Sequence, residues 1–126
     1  MSGGIVSTVN EVTIVRGSSK TLELCVTDSE GHAIDLTGAR IVFTMKCRIE
    51  DEQNVLQKDS DNGATEIEIT EPREGKAKIK ISPSDTQSLD LGKYVFDVWV
   101  VLASGEKHLV VGPADLILVG GVTVLC

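Results

Sequence analysis

Asp59-Ser60-Asp61-Asn62-Gly63 comes nearest in this sequence to a metal-ligand pattern. A hard cation such as calcium needs several closely spaced carboxylate and carbonyl oxygens, and Asp59 and Asp61 could supply the first two. The glycine then arrives one place early, where a third ligand belongs, and no glutamate follows at the spacing that closes a calcium loop. A solvated turn is the expectation. The three cysteines, Cys25, Cys47 and Cys126, contain no Cys-x-x-Cys pair, and neither His32 nor His108 is spaced to share a metal with them. Their odd number and scatter make no disulfide framework, which fits a reducing compartment. Ser, His and Asp are all present, but there is no Gly-x-Ser-x-Gly elbow to expose a nucleophile. Gly92-Lys93-Tyr94 lacks the rest of a phosphate-binding loop. These residues predict no enzyme, no cofactor and no metal.

Contact chemistry is better represented. Along Lys93–Val101, Tyr94, Phe96, Val98 and Val100 alternate with Val95, Asp97, Trp99 and Val101. A carboxylate resists burial, so the Tyr94 side is predicted to face the core and the Asp97 side solvent. That leaves Trp99 outside with Val95 and Val101, an apolar patch of the kind that marks an interface unless a loop or tail covers it. The segment Val122-Thr123-Val124-Leu125-Cys126 is apolar and strand-prone, and Gly120-Gly121 cuts it off from the preceding pattern. It reads either as the last strand after a bulge or as an arm that adds a strand to a neighbour. Val122, Val124 and Leu125 are then contact residues.

Positioning these groups falls to strands. With 41% hydrophobic but only 3% aromatic residues, a core must be built from Val, Ile and Leu, which pack well on a pleated surface. Val12 and Ile14; Leu22, Leu24 and Val26; Ile41, Phe43, Met45 and Cys47; Ile67 and Ile69; and Ala77, Ile79 and Ile81 each recur at every second residue. The longest loop is expected between Ile49 and Gly63, with only Val55 and Leu56 to anchor a short edge strand. Glu71–Gly75 reads as a hairpin turn, and the glutamates before it and the lysines after it are set to pair across strands. Ser82-Pro83-Ser84-Asp85 carries the signals of one short helical turn. Lys107–Val111 and Ala114–Val119 complete the set as separate strands around Gly112-Pro113. Short strands about ten residues apart, with no helix of any length, point to a sandwich or small barrel, and an all-β two-sheet sandwich of about seven to nine short antiparallel strands is the expectation. Residues 9–119 form its single domain, 1–8 a flexible N-terminal arm, and 120–126 a C-terminal arm or last strand.

Twelve basic residues against nineteen acidic ones give a net charge of −7, which repels phosphate backbones and anionic lipid alike, so neither nucleic acid nor membrane is an expected partner. No 18-residue apolar run or signal-peptide pattern appears, and synthesis in the cytoplasm is expected.

Asp90-Leu91-Gly92-Lys93-Tyr94-Val95-Phe96 resembles the tyrosine corner of immunoglobulin-like domains, in which a tyrosine hydroxyl bonds back to backbone before strand F. Phe96 stands where an antibody domain has its cysteine, so the resemblance is to the fold without its inter-sheet disulfide. Over about a hundred residues, Val12–Gly17, Lys20–Leu24, Ile34–Ala39 with Ile41-Val42-Phe43, Ser82–Thr86 and Gly92–Val98 follow in an order similar to small β-domains of tailed bacteriophages. The resemblance is to the N-terminal domain of upper baseplate proteins and related small virion proteins. It implies a non-enzymatic virion structural protein, made in the host cytoplasm, that docks as a capsid decoration or tail and baseplate component. Its partners would be other virion proteins or further copies of itself. The alternative is a carbohydrate-binding or adhesion module, for which a single Trp and a single Tyr offer little stacking surface.

Because the cysteines do not build a framework, reducing agent is expected to shift the melting temperature by no more than about one degree. A large drop on adding reductant would show that a disulfide holds the domain.

Overall fold

The computed structural model describes residues 11–121. Among the described residues eight strands form two sheets: β1 (Val12–Val15), β2 (Lys20–Cys25), β3 (Arg40–Lys46), β4 (Leu56–Asp59), β5 (Ile67–Glu71), β6 (Lys76–Ile81), β7 (Gly92–Val101) and β8 (Lys107–Val119). One sheet has the order β1-β8-β7-β3-β4 and the other β2-β6-β5. Every pairing is antiparallel except β1 with β8, which runs parallel. This is an immunoglobulin-like β-sandwich, with β7 and β8 in the places of strands F and G and β2, β6 and β5 in those of B, E and D.

Alternation along each strand puts one side chain in two between the sheets. Ile14, Leu24, Ile41, Phe43, Met45, Ile79, Phe96, Val98, Val100, Leu116 and Leu118 form one continuous buried cluster. Aliphatics fill most of it, and the Phe43 and Phe96 rings meet at 5.5 Å with a 33° tilt. Burial at about 25 cal/mol per Å² of apolar surface makes this cluster the main stabilising term.

Three polar devices fix the ends. The Tyr94 hydroxyl donates to the carbonyl oxygen of Asp90 at 2.6 Å, and Gly92 turns the chain between them at φ +140°. Burial pushes the Tyr94 phenol upward, as expected of a hydroxyl kept neutral. In the turn between β5 and β6, Gly75 sits at φ +69°, and a Cβ there would lie 2.3 Å from the carbonyl oxygen of Val26. Across the side of the sandwich, the buried Lys58 ammonium of β4 meets Asp85 at 2.8 Å. Asp85 belongs to a short helix, α1 (Pro83–Thr86), where it also accepts the backbone N–H of Ser82 at 2.7 Å. Burial would push the Asp85 carboxyl up, but Lys58 and Ser82 together hold it below the ordinary value.

Several expectations meet corrections. Cys47 is exposed rather than in the core, because β3 ends at Lys46 and the alternation stops with it. Lys107–Val111 and Ala114–Val119 are one strand, not two. The bulge at Gly112-Pro113 faces Asp97 on β7, and the register steps from Phe96↔Ala114 to Val98↔Val111. Proline is tolerated there because β1 pairs with β8 only from Leu116 to Val119, so the outer edge at Pro113 needs no donor. The short edge strand expected between Ile49 and Gly63 is β4, which begins at Leu56 and leads into a 3₁₀ turn at Ser60–Asn62. The glutamate–lysine pairing across β5 and β6 is present as Glu68 with Lys80 at 3.0 Å and Glu71 with Lys76 at 3.5 Å. The arms, 1–8 and 122–126 with Val122, Val124 and Leu125, lie outside the described residues.

Tyr94→Phe removes the hydroxyl and leaves the Asp90 carbonyl without its donor, and it is expected to cost about 1–3 kcal/mol in denaturant unfolding. An unchanged midpoint would mean the corner bond does not support the fold. Gly75→Ala is expected to cost about 2 kcal/mol or more, since the left-handed backbone and the Val26 carbonyl both exclude a methyl group.

Candidate functional site

The outer face of the five-stranded sheet is set by the same alternation that fills the core. Residues that cannot point inward along β3, β7 and β8 must share one solvent-facing surface, and the registers align them in rows. Val42, Trp99 and Leu109 lie abreast on β3, β7 and β8. Trp99 is 41% and Leu109 37% exposed, and Val42 is half-buried. One row to one side, Arg40, Val101 and Lys107 stand abreast; towards the other end come Lys46, Val95 and Asp115, then Lys93 and Ile117. Val15 and Val119 extend the apolar strip to the edge strand β1. The three sequence-predicted contact residues of the domain, Val95, Trp99 and Val101, therefore share one surface, with Val95 and Val101 half-buried. Leu109, Val42 and Ile117 were not legible as part of it, since only the strand registers bring them there.

Polar groups on this face are mostly satisfied. The Gln57 side-chain amide donates to Thr44 Oγ1 at 3.1 Å, and Lys93 meets Asp115 at 3.4 Å. Asp97 differs. It stands between Val95 and Trp99 on β7, opposite Thr44 on one side and the β8 bulge on the other. Among the described residues it makes no ion pair. Burial pushes its carboxyl above the ordinary value, while the Trp99 side chain and the Lys46 ammonium pull the other way. A shallow pocket beside it is lined by Thr44, Lys46, Ile49, Val95 and Pro113.

The candidates for metal or catalytic chemistry lie elsewhere. Asp59 and Asp61 are both turned onto Arg40, with Nε 3.1 Å from Asp59 Oδ1 and 3.3 Å from Asp61 Oδ2. Ser60 Oγ accepts the backbone N–H of Ile41 at 2.8 Å. These oxygens tie the β4 turn to β3, and the guanidinium holds Asp59 below the ordinary carboxyl range. One cluster escaped the sequence reading: Asp28, Glu30 and His32 bring a donor atom each within 4.8 Å of one another, with His32 Nδ1 3.6 Å from both carboxylates. Its signal is the Asp-x-Glu-x-His spacing across a turn closed by the Thr27–Ala33 bridge. The cluster is largely exposed, and Asp28 Oδ1 is already taken by the backbone N–H groups of Glu30 and His32, each at 2.9 Å. His108 lies at a strand start beside Glu106, 3.2 Å away, far along the sequence from that cluster.

A raised folded-state value for Asp97 means that the folded protein holds the proton more tightly than the unfolded chain. Its cost is absent below the unfolded carboxyl value, grows as pH rises from there through the raised folded value, and is complete above it. Asp97→Asn is therefore expected to melt higher than the parent at pH about 7 and to lose that advantage near pH about 3. Thermal melts at the two pH values check this, and equal melting at neutral pH would contradict it.

No family model matches this chain, and no curated protein sequence does. Solved structures match it in shape. CopC from Methylosinus trichosporium OB3b aligns with a TM-score of 0.52 at 12% identity over 99% of this chain and all of that one. A marsupial T cell receptor aligns with a TM-score of 0.52 at 11% identity over 94% of this chain and 52% of that one. Identities this low establish a shared architecture, and that architecture is the immunoglobulin-like sandwich drawn by the sheet order above.

Proposed function

We propose that this chain is a non-enzymatic structural component of a tailed-bacteriophage particle, docking on neighbouring particle proteins through the outer face of its five-stranded sheet and through its terminal arms. The resemblance of its segment order to small virion domains supplies the context. The observation that carries the docking role is the row Val42–Trp99–Leu109, which places the chain's single tryptophan on an outward sheet face. Tryptophan is among the residues most enriched at the energetic centres of interfaces, and here it has apolar neighbours on both sides. Strands β1, β4, β2 and β5 end their sheets among the described residues, and such edges can pair with a donated strand. The acidic net charge keeps such a protein soluble before assembly, and repetition on a lattice turns a modest contact into firm attachment.

The test is co-sedimentation with particles produced without this protein. Trp99→Asp is expected to keep the parental melting temperature within about two degrees while attachment falls at least about tenfold. Removing residues 120–126 is expected to leave the sandwich folded and to abolish attachment. If the truncated protein aggregates, that segment closes its own sandwich; if both variants bind as the parent does, the docking reading is wrong.

A further inference from the structure

The charges around the centre of the outer face point to the chemistry of what it takes. Asp97 is a half-buried carboxylate with an apolar residue on either side along its strand and no ion pair among the described residues. The cation whose field reaches it, Lys46, has its ammonium 2.8 Å from the carbonyl oxygen of Asp51. On the far wall of the pocket, Ile49 is 62% exposed and leads into Glu50, Asp51 and Glu52. Lys93 is matched by Asp115, and Asp97, Glu50, Asp51 and Glu52 outnumber the two bases of this end, Lys46 and Arg48. A pocket that holds the Asp97 carboxylate over valine and proline, runs on through Ile49 into three acidic residues and lies beside an exposed indole suits a cation with an apolar stem.

We infer that this face takes a protein partner presenting an arginine side chain, with its guanidinium on the Asp97 carboxylate and its stem across Trp99. The inference rests on the docking reading above and names the partner's chemistry. Arginine fits better than lysine because its planar fork matches a carboxylate and stacks on an aromatic face. Residues two apart on a strand lie about 7 Å apart along it, within the span of one arginine side chain. A second copy is a poor source from the strands of the same face: Arg40, the arginine they carry, is already held by Asp59 and Asp61.

The probe is N-acetyl-arginine amide, with the neutral isostere N-acetyl-citrulline amide as control, titrated into the full chain and followed by amide and indole nuclear magnetic resonance. The arginine compound is expected to give saturable shifts at the Trp99 indole and the Val95 and Asp97 amides, and citrulline to bind at least about fivefold more weakly. Asp97→Asn should remove that difference while the spectrum stays that of the folded parent. Equal binding of the two compounds, no saturable shift with arginine, or discrimination that survives Asp97→Asn would overturn the inference. Loss of particle attachment by Trp99→Asp alongside such a failure would leave docking standing and remove only the arginine. Arginine binding that depends on Asp97, in a protein whose Trp99 variant still attaches, would do the reverse.

Discussion

The fold depends on the two-residue alternation of β7, the strand that is flanked by β8 and β3 and has no free edge. Tyr94, Phe96, Val98 and Val100 all point inward and all are buried. Moving the register by one residue would bury Asp97 and expose both the corner tyrosine and one of the two core phenylalanines, so the hydrophobic effect sets the register strongly. Once the inward set is chosen, Val95, Asp97, Trp99 and Val101 have nowhere to go but out. The make-up of the outer face is thus a consequence of how the core is filled. In a core with so few aromatics, the Phe43–Phe96 contact between β3 and β7 anchors the middle of the same sheet whose back carries Trp99.

Local pattern made much of this readable. The strands with clean alternation, the turn at Gly75, the capped turn at Ser82 and the Tyr94–Asp90 bond are each specified within a few residues, and the physics that specifies them is short-ranged. What escaped the sequence is non-local. Nothing in Val12–Val15 announces a parallel partner about a hundred residues later, yet that pairing with β8 is what brings Val15 onto the outer face. Lys58 and Asp59 look like loop charges and are buried, because Asp85 and Arg40 arrive from distant segments to neutralise them. Gly112-Pro113 looks like a strand break and is a bulge within one strand, because the neighbouring edge is open and needs no N–H. Cys47 continued the alternation on paper, but hydrogen bonding to the partner strands stops at Lys46.

The outer face also shows where stability has been set aside. Arg40–Asp59 and Lys93–Asp115 are paired there, whereas Asp97 is half-buried without an ion pair. An aliphatic residue would suit that position on a sheet better, so a half-buried carboxylate without an ion pair, partnered by the neighbouring indole, is a local inconsistency in the packing of the sheet.

The claim that alternation along β7 turns Trp99 outward is tested most directly by quenching of the chain's one tryptophan with acrylamide in the free, folded protein. With Trp99 on an open sheet face, emission should be red-shifted and the quenching constant should be at least about half that of the unfolded chain. Blue-shifted emission that resists acrylamide until the protein unfolds would place the indole under cover, and the outer face described here would not be a free surface.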